Sequence, residues 1–211
     1  MIKRTTPELA EFIADLLGTP ESVERSRLRR LREDDLISQA GHGRGAAGAT
    51  EKDAALLLLV SATGIPPLHA AKMAKAIASC EFYVAEVDGE RFKDDKRVES
   101  GFAKYAVDEI AAHISSGDWF PTIGIGSTPT VQLFDPEDNN IFALPQTKNT
   151  KSAMYHPSSD NMRALKDVFG PGSKMLQRMN YIDGYAIRDL GDWLKGVGEV
   201  VAVTDDEDAP F

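Results

Sequence analysis

The chain has 211 residues with 24 Lys+Arg against 33 Asp+Glu, a formal net charge of −9 that excludes wholesale attraction to nucleic acid and confines any phosphate contact to a local surface. Its 42% hydrophobic residues suffice for one good core or two small ones, and its single cysteine, Cys80, excludes an internal disulfide. The longest apolar run, residues 54–60, is far too short to span a bilayer, and no secretory signal follows Met1, so a cytoplasmic, nucleoid-associated location without membrane partners is expected.

The charge is unevenly spread. Residues 1–50 hold eight basic and eight acidic side chains, which leaves sixteen against twenty-five to residues 51–211. A neutral N-terminal part with a local basic surface therefore precedes an acidic body.

Thr6 is a candidate N-cap followed by Pro7, after which Leu9, Phe12, Ile13, Leu16 and Leu17 recur at amphipathic helical spacing until Gly18 ends the helix. Thr19-Pro20 repeats the cap-plus-proline start, and a second helix is expected to about Glu33. In it Val23, Leu28 and Leu31 share one side, while Ser22, Arg25, Ser26 and Arg29 recur on the opposite side with no acid until Glu33. Small hydroxyls between guanidinium groups let a helix approach DNA closely, and arginine pairs bidentately with guanine edges or phosphate oxygens. Arg27, Arg30 and Arg32 flank that face and are expected to clamp backbone phosphates. The competing reading is a solvated face laced with ion pairs such as Glu21 with Arg25.

Leu36 and Ile37 close this unit, and residues 38–49 form a small-residue loop that carries His42 and Arg44 and no acid. Thr50 and Asp53 resemble a capping box opening a helix that is apolar all round through residues 56–60, and hence buried. A fourth helix is expected over 67–79.

From residue 81 the pattern changes. Residues 82–87 read as a strand ended by Asp88-Gly89, residues 100–115 as a helix, and 122–125, 130–134 and 141–144 as strands, the last two joined by a polar turn. Residues 146–160 read as a loop, 161–169 as a short helix, 174–182 as a strand, 185–194 as a helix and 204–211 as a mobile acidic tail. Gly124-Ile125-Gly126-Ser127-Thr128 lacks the ending of a phosphate loop and reads as a turn. The four histidines are scattered without ligand spacing, Cys80 has no neighbouring base, and no catalytic constellation stands out, so neither enzyme activity, metal nor cofactor is expected.

The string Leu9-Ala10-Glu11, Leu17-Gly18-Thr19-Pro20, Arg29-Arg30-Leu31-Arg32-Glu33 and Leu36-Ile37, followed by Gly41-His42-Gly43-Arg44-Gly45, resembles bacterial winged helix-turn-helix DNA-binding proteins, in the manner of MerR-like and excisionase-like heads and of short prophage regulators. The resemblance covers roughly the first 50 to 80 residues. Where many such heads carry an apolar residue six positions after the turn glycine, this chain has Glu24. The resemblance implies a second helix in the major groove, a wing on the neighbouring backbone or minor groove, and a homodimer.

The expected fold is α+β: a helical winged helix-turn-helix head over 1–80, a mixed body with a small antiparallel sheet over 81–203, and the acidic tail. The expected function is a sequence-specific transcription regulator of phage or prophage type that binds double-stranded DNA, its body dimerising it or recruiting a partner protein. The alternative is a phage structural or DNA-packaging subunit whose body assembles a ring.

Overall fold

The computed structural model describes residues 4–39, 48–88, 90–93, 96–117, 121–126, 129–134, 151–160, 165 and 179–197. Thr5, one residue earlier than the expected Thr6, caps helix α1 (Thr6–Leu17). Its hydroxyl accepts from the Glu8 N–H at 3.5 Å, and the Glu8 carboxylate accepts from the Thr5 N–H at 2.6 Å, a complete capping box with Pro7 inside the first turn. Gly18 ends the helix at φ 62, a left-handed value that costs glycine little.

Helix α2 (Glu21–Glu33) starts without a side-chain cap, because the Thr19 hydroxyl is directed to Glu24 instead of the helix N-terminus. Helix α3 (Glu51–Ala62) carries the expected Thr50–Asp53 capping box. It is the central element, packed by α1, α2, helix α4 (Ala70–Ala78), helix α6 (Ala106–Ser116), helix α7 (Gly184–Lys195) and strand β6 (Met179–Ile182). That position explains why Ala54 to Ser61 are buried on every side. The expected 67–79 helix divides into a 3-10 turn, Pro67–His69, and α4.

The helix read over 100–115 is also two pieces, α5 (Arg97–Ser100) and α6. Gly101 at φ 79 ends the first, and residues 102–105 run extended beside strand β1 (Glu81–Val87), with Phe82 N–H donating to Lys104 C=O and Ala106 N–H to Cys80 C=O. The Cys80 thiol is buried and donates to Pro129 C=O at 2.7 Å. Burial raises its pKa, which keeps it protonated and unreactive.

Six strands form one antiparallel sheet in the order β2-β1-β5-β4-β3-β6, with β2 Glu90–Lys93, β3 Thr122–Gly126, β4 Val131–Phe134 and β5 Lys151–His156. Strand β5 corrects the reading of 146–160 as a loop: it is an inner strand whose Ala153 and Tyr155 point to the core between partly or fully exposed neighbours. Of the strands expected at 130–134 and 141–144, the first appears as β4, with β3 and β5 on its two sides, and the second lies outside the described residues. The 174–182 strand is described only over 179–182, and of the 161–169 helix only Leu165 is described, helical and buried. Residues 204–211 lie outside the described set.

Directly paired side chains on the inner face, Ile123 with Leu133, Val131 with Tyr155 and Ile123 with Ile182, are buried together. One continuous apolar cluster runs from Leu9 and Ile13 of α1 through α3 and α6 to Ile187 and Leu190 of α7. The two segments divided at residue 80 therefore share a core. Phe12 of α1 stacks on Trp193 of α7 with ring centroids 4.9 Å apart, and the Asn180 side chain donates to Ala62 C=O at 2.6 Å.

Candidate nucleic-acid interface

Helix α2 carries seven of the nine residues expected at a DNA surface and places five of them, Ser22, Arg25, Ser26, Arg29 and Arg30, on its solvent side or the margin of that side. Glu24, Arg27, Leu28 and Leu31 form its buried stripe at i, i+3, i+4, i+7, with Val23 half-buried beside it. Ser22, Arg25, Ser26 and Arg29 form the exposed stripe, with side-chain exposures of 56% for Arg25 and 70% for Arg29. The Ser26 hydroxyl donates to Ser22 C=O at 2.7 Å and keeps its acceptor lone pairs outward.

Arg27 is not a flanking phosphate clamp. Its side chain is 5% exposed, and its Nε and Nη2 both donate to Ile65 C=O, at 3.2 and 2.7 Å. Its Nη1 pairs with Glu24 Oε1, which also accepts from the Thr19 hydroxyl at 2.8 Å, while Glu24 Oε2 accepts from the Ser61 hydroxyl. A buried carboxylate is tolerable only when paired and hydrogen-bonded, and this one is both. Glu24 and Arg27 thus form a charge-paired polar lock joining α2, α3 and the chain after α3.

Arg32 also turns away from solvent, its Nη2 donating to the Thr6 hydroxyl on α1. The remaining arginines meet acids. Arg25 Nη2 lies 2.6 Å from Glu11 of α1 and its Nε pairs with Glu21. Glu33 takes both Arg29 Nε, at 3.3 Å, and Arg30 Nη1, at 2.9 Å. To the acids at the two ends of α2, Glu21 and Glu33, this face thus adds Glu11 from the neighbouring helix.

The sequence reading missed a second role of Asp53. Its Oδ2 accepts from the Thr50 N–H at 2.9 Å as a cap, and its Oδ1 accepts from the Ser38 N–H at 3.0 Å. One carboxylate therefore holds together the two ends of the segment that contains His42 and Arg44, which themselves lie outside the described residues. The chain reaches this point through Asp35 at φ 55, whose carboxylate accepts from the Gln39 side chain at 2.7 Å, and through a Leu36 N–H bond to Leu31 C=O that closes the end of α2.

No family model, curated protein or solved structure matches this chain. Among the described residues no three His, Cys, Asp or Glu side chains are grouped to hold a metal ion, and no helix is long and apolar enough to cross a membrane. The other buried acid, Glu109 of α6, accepts from the Ala103 N–H at 2.5 Å and lies 2.8 Å from His113 on the same helix, an arrangement that ties α6 to the chain before it.

Proposed function

We propose that this chain binds double-stranded DNA through the exposed stripe of α2 and acts as a sequence-specific transcription regulator of phage or prophage type. The observation that carries the reading is the Ser22, Arg25, Ser26, Arg29 stripe, which is exposed along α2 and alternates small hydroxyls with guanidinium groups held only by surface ion pairs. Such a face fits a major groove, because the serines leave room for base edges that the arginines can reach. The ion pairs that hold these arginines are at the surface, where each is worth about 0 to 1 kcal/mol, so a phosphate or guanine edge can displace the carboxylate.

The winged helix-turn-helix form of the head belongs to the same proposal. Helix α1, the Gly18 turn and α2 would supply the two helices, and the closeness of Ser38 and Thr50, both bonded to the Asp53 carboxylate, supports a wing in the segment that holds His42 and Arg44. A single such head buries too little surface for tight specific binding, which favours a homodimer presenting two.

Selection of duplexes from a random library, followed by anisotropy titration, tests this reading. The expected result is an enriched motif whose affinity falls by about 1–3 kcal/mol in Arg29→Ala if that side chain reads a base edge. Absence of enrichment, or equal affinities for Arg25→Ala, Arg29→Ala and the unaltered chain, overturns it.

A further inference from the structure

The exposed arginines of α2 are all held by carboxylates, and the count balances: Arg25, Arg29 and Arg30 face Glu11, Glu21 and Glu33. Two features separate this from the incidental pairing of any charged helix. Glu11 comes from α1, so its 2.6 Å contact with Arg25 owes nothing to spacing along α2. Glu33 sits in the last turn of α2, where the helix dipole disfavours an acid, and there it takes two arginines at once.

We propose that Glu11 and Glu33 are affinity-limiting residues of the DNA face, an inference that rests on the DNA-binding reading above. They hold the arginines in fixed positions and cancel their field, so each guanidinium must exchange a carboxylate for a phosphate before it contributes. A random duplex, offering only phosphates, gains little from that exchange. A groove that also presents a guanine edge in the right place gains more, and the acids thereby suppress non-specific binding. The rank follows from the geometry: Glu33 restrains two arginines, whereas loss of Glu11 leaves Arg25 paired with Glu21.

The test is anisotropy titration of the full chain with a fluorescein-labelled random-sequence duplex of about 20 base pairs over a range of salt. Glu33→Gln should tighten binding roughly two- to five-fold at low salt and steepen the dependence of log K on log salt, with a smaller gain for Glu11→Gln. Glu90→Gln on edge strand β2, which alters net charge equally, should leave affinity unchanged. Circular dichroism checks that the variants fold, as expected for exposed side chains. Binding by the unaltered chain with no gain in Glu33→Gln, or with an equal gain in Glu90→Gln, overturns this inference alone. No binding by any chain overturns the DNA reading with it.

Discussion

Asp53 and Ser38, fifteen residues apart, are joined by a 3.0 Å hydrogen bond from the Ser38 N–H to the Asp53 carboxylate, whose other oxygen caps α3. Losing a helix cap costs about 1 kcal/mol, and leaving a partly buried N–H without its acceptor adds about 1–3 kcal/mol. Asp53→Ala should therefore destabilise the chain by about 2–4 kcal/mol in urea unfolding, and hydrogen exchange at Ser38 and Thr50 should accelerate. Unaltered exchange at Ser38 would show that the bond does not hold the segment.

The Glu24–Arg27 pair is predicted to behave as a buried ion pair. Removing one member, as in Arg27→Ala or Glu24→Ala, leaves an uncompensated buried charge at a cost of about 3–5 kcal/mol, whereas Glu24→Leu with Arg27→Met should recover much of the loss. A double-mutant cycle measured by chemical denaturation checks this. Additive effects would contradict the pairing.

Gly191 of α7 lies against α6 so closely that an added Cβ would meet the Ile114 C=O oxygen at 2.5 Å. A backbone atom cannot swing aside as a side-chain end can. Gly191→Ala should thus cost about 1–3 kcal/mol by forcing the two helices apart, although alanine ordinarily favours a helix. A raised melting temperature would contradict the close approach.

Residues 1–80 alone should fail to unfold cooperatively. Helix α3 is packed by α6 and α7 as well as by α1, α2 and α4, and truncation would expose apolar side chains that are fully buried in the whole chain, among them Leu57, Leu58 and Leu59. Calorimetry of the fragment checks this, and a sharp transition would mean that the first four helices form a core by themselves.

His156 of β5 stands edge-on to the Tyr83 ring with centroids 4.8 Å apart, and burial lowers its pKa below the ordinary imidazole value. The unfolded chain therefore takes up this proton more readily than the folded one, so the His156 contribution is present at neutral pH and is lost as pH falls below about 6.5. Glu81 is its register partner on β1. Stability of His156→Gln between about pH 7 and 5 should decline less steeply than that of the unaltered chain. Parallel declines would place the titrating group elsewhere.

Local physics made several elements legible from residue order. The Gly18 stop, the Thr50–Asp53 box and the all-apolar α3 depend on neighbours within one or two turns, and they appear as read. Strand β5 was not legible, because a six-residue strand with a serine, a methionine and polar ends shows its alternation only once β1 and β4 lie on either side. The helix over 100–115 starts late for a related reason: after the left-handed Gly101 the chain runs extended through bonds from Phe82 N–H to Lys104 C=O and from Ala106 N–H to Cys80 C=O, which have no local signature.

At the candidate site the same division holds. Helical period alone placed Ser22, Arg25, Ser26 and Arg29 together, and that stripe is on the surface. It did not turn Arg27 inward, since arginine is ordinarily exposed and the Ile65 C=O that makes its burial tolerable comes from 38 residues further on, while Ser61, which donates to its partner Glu24, lies 37 residues beyond that acid. Nor did it bring Glu11 to Arg25, because that contact exists only where α1 crosses α2. Sequence by itself determined which helix face carries the arginines; tertiary packing decided which of them reach solvent and which acid of a neighbouring helix meets them, because charge pairing acts through space and ignores order along the chain.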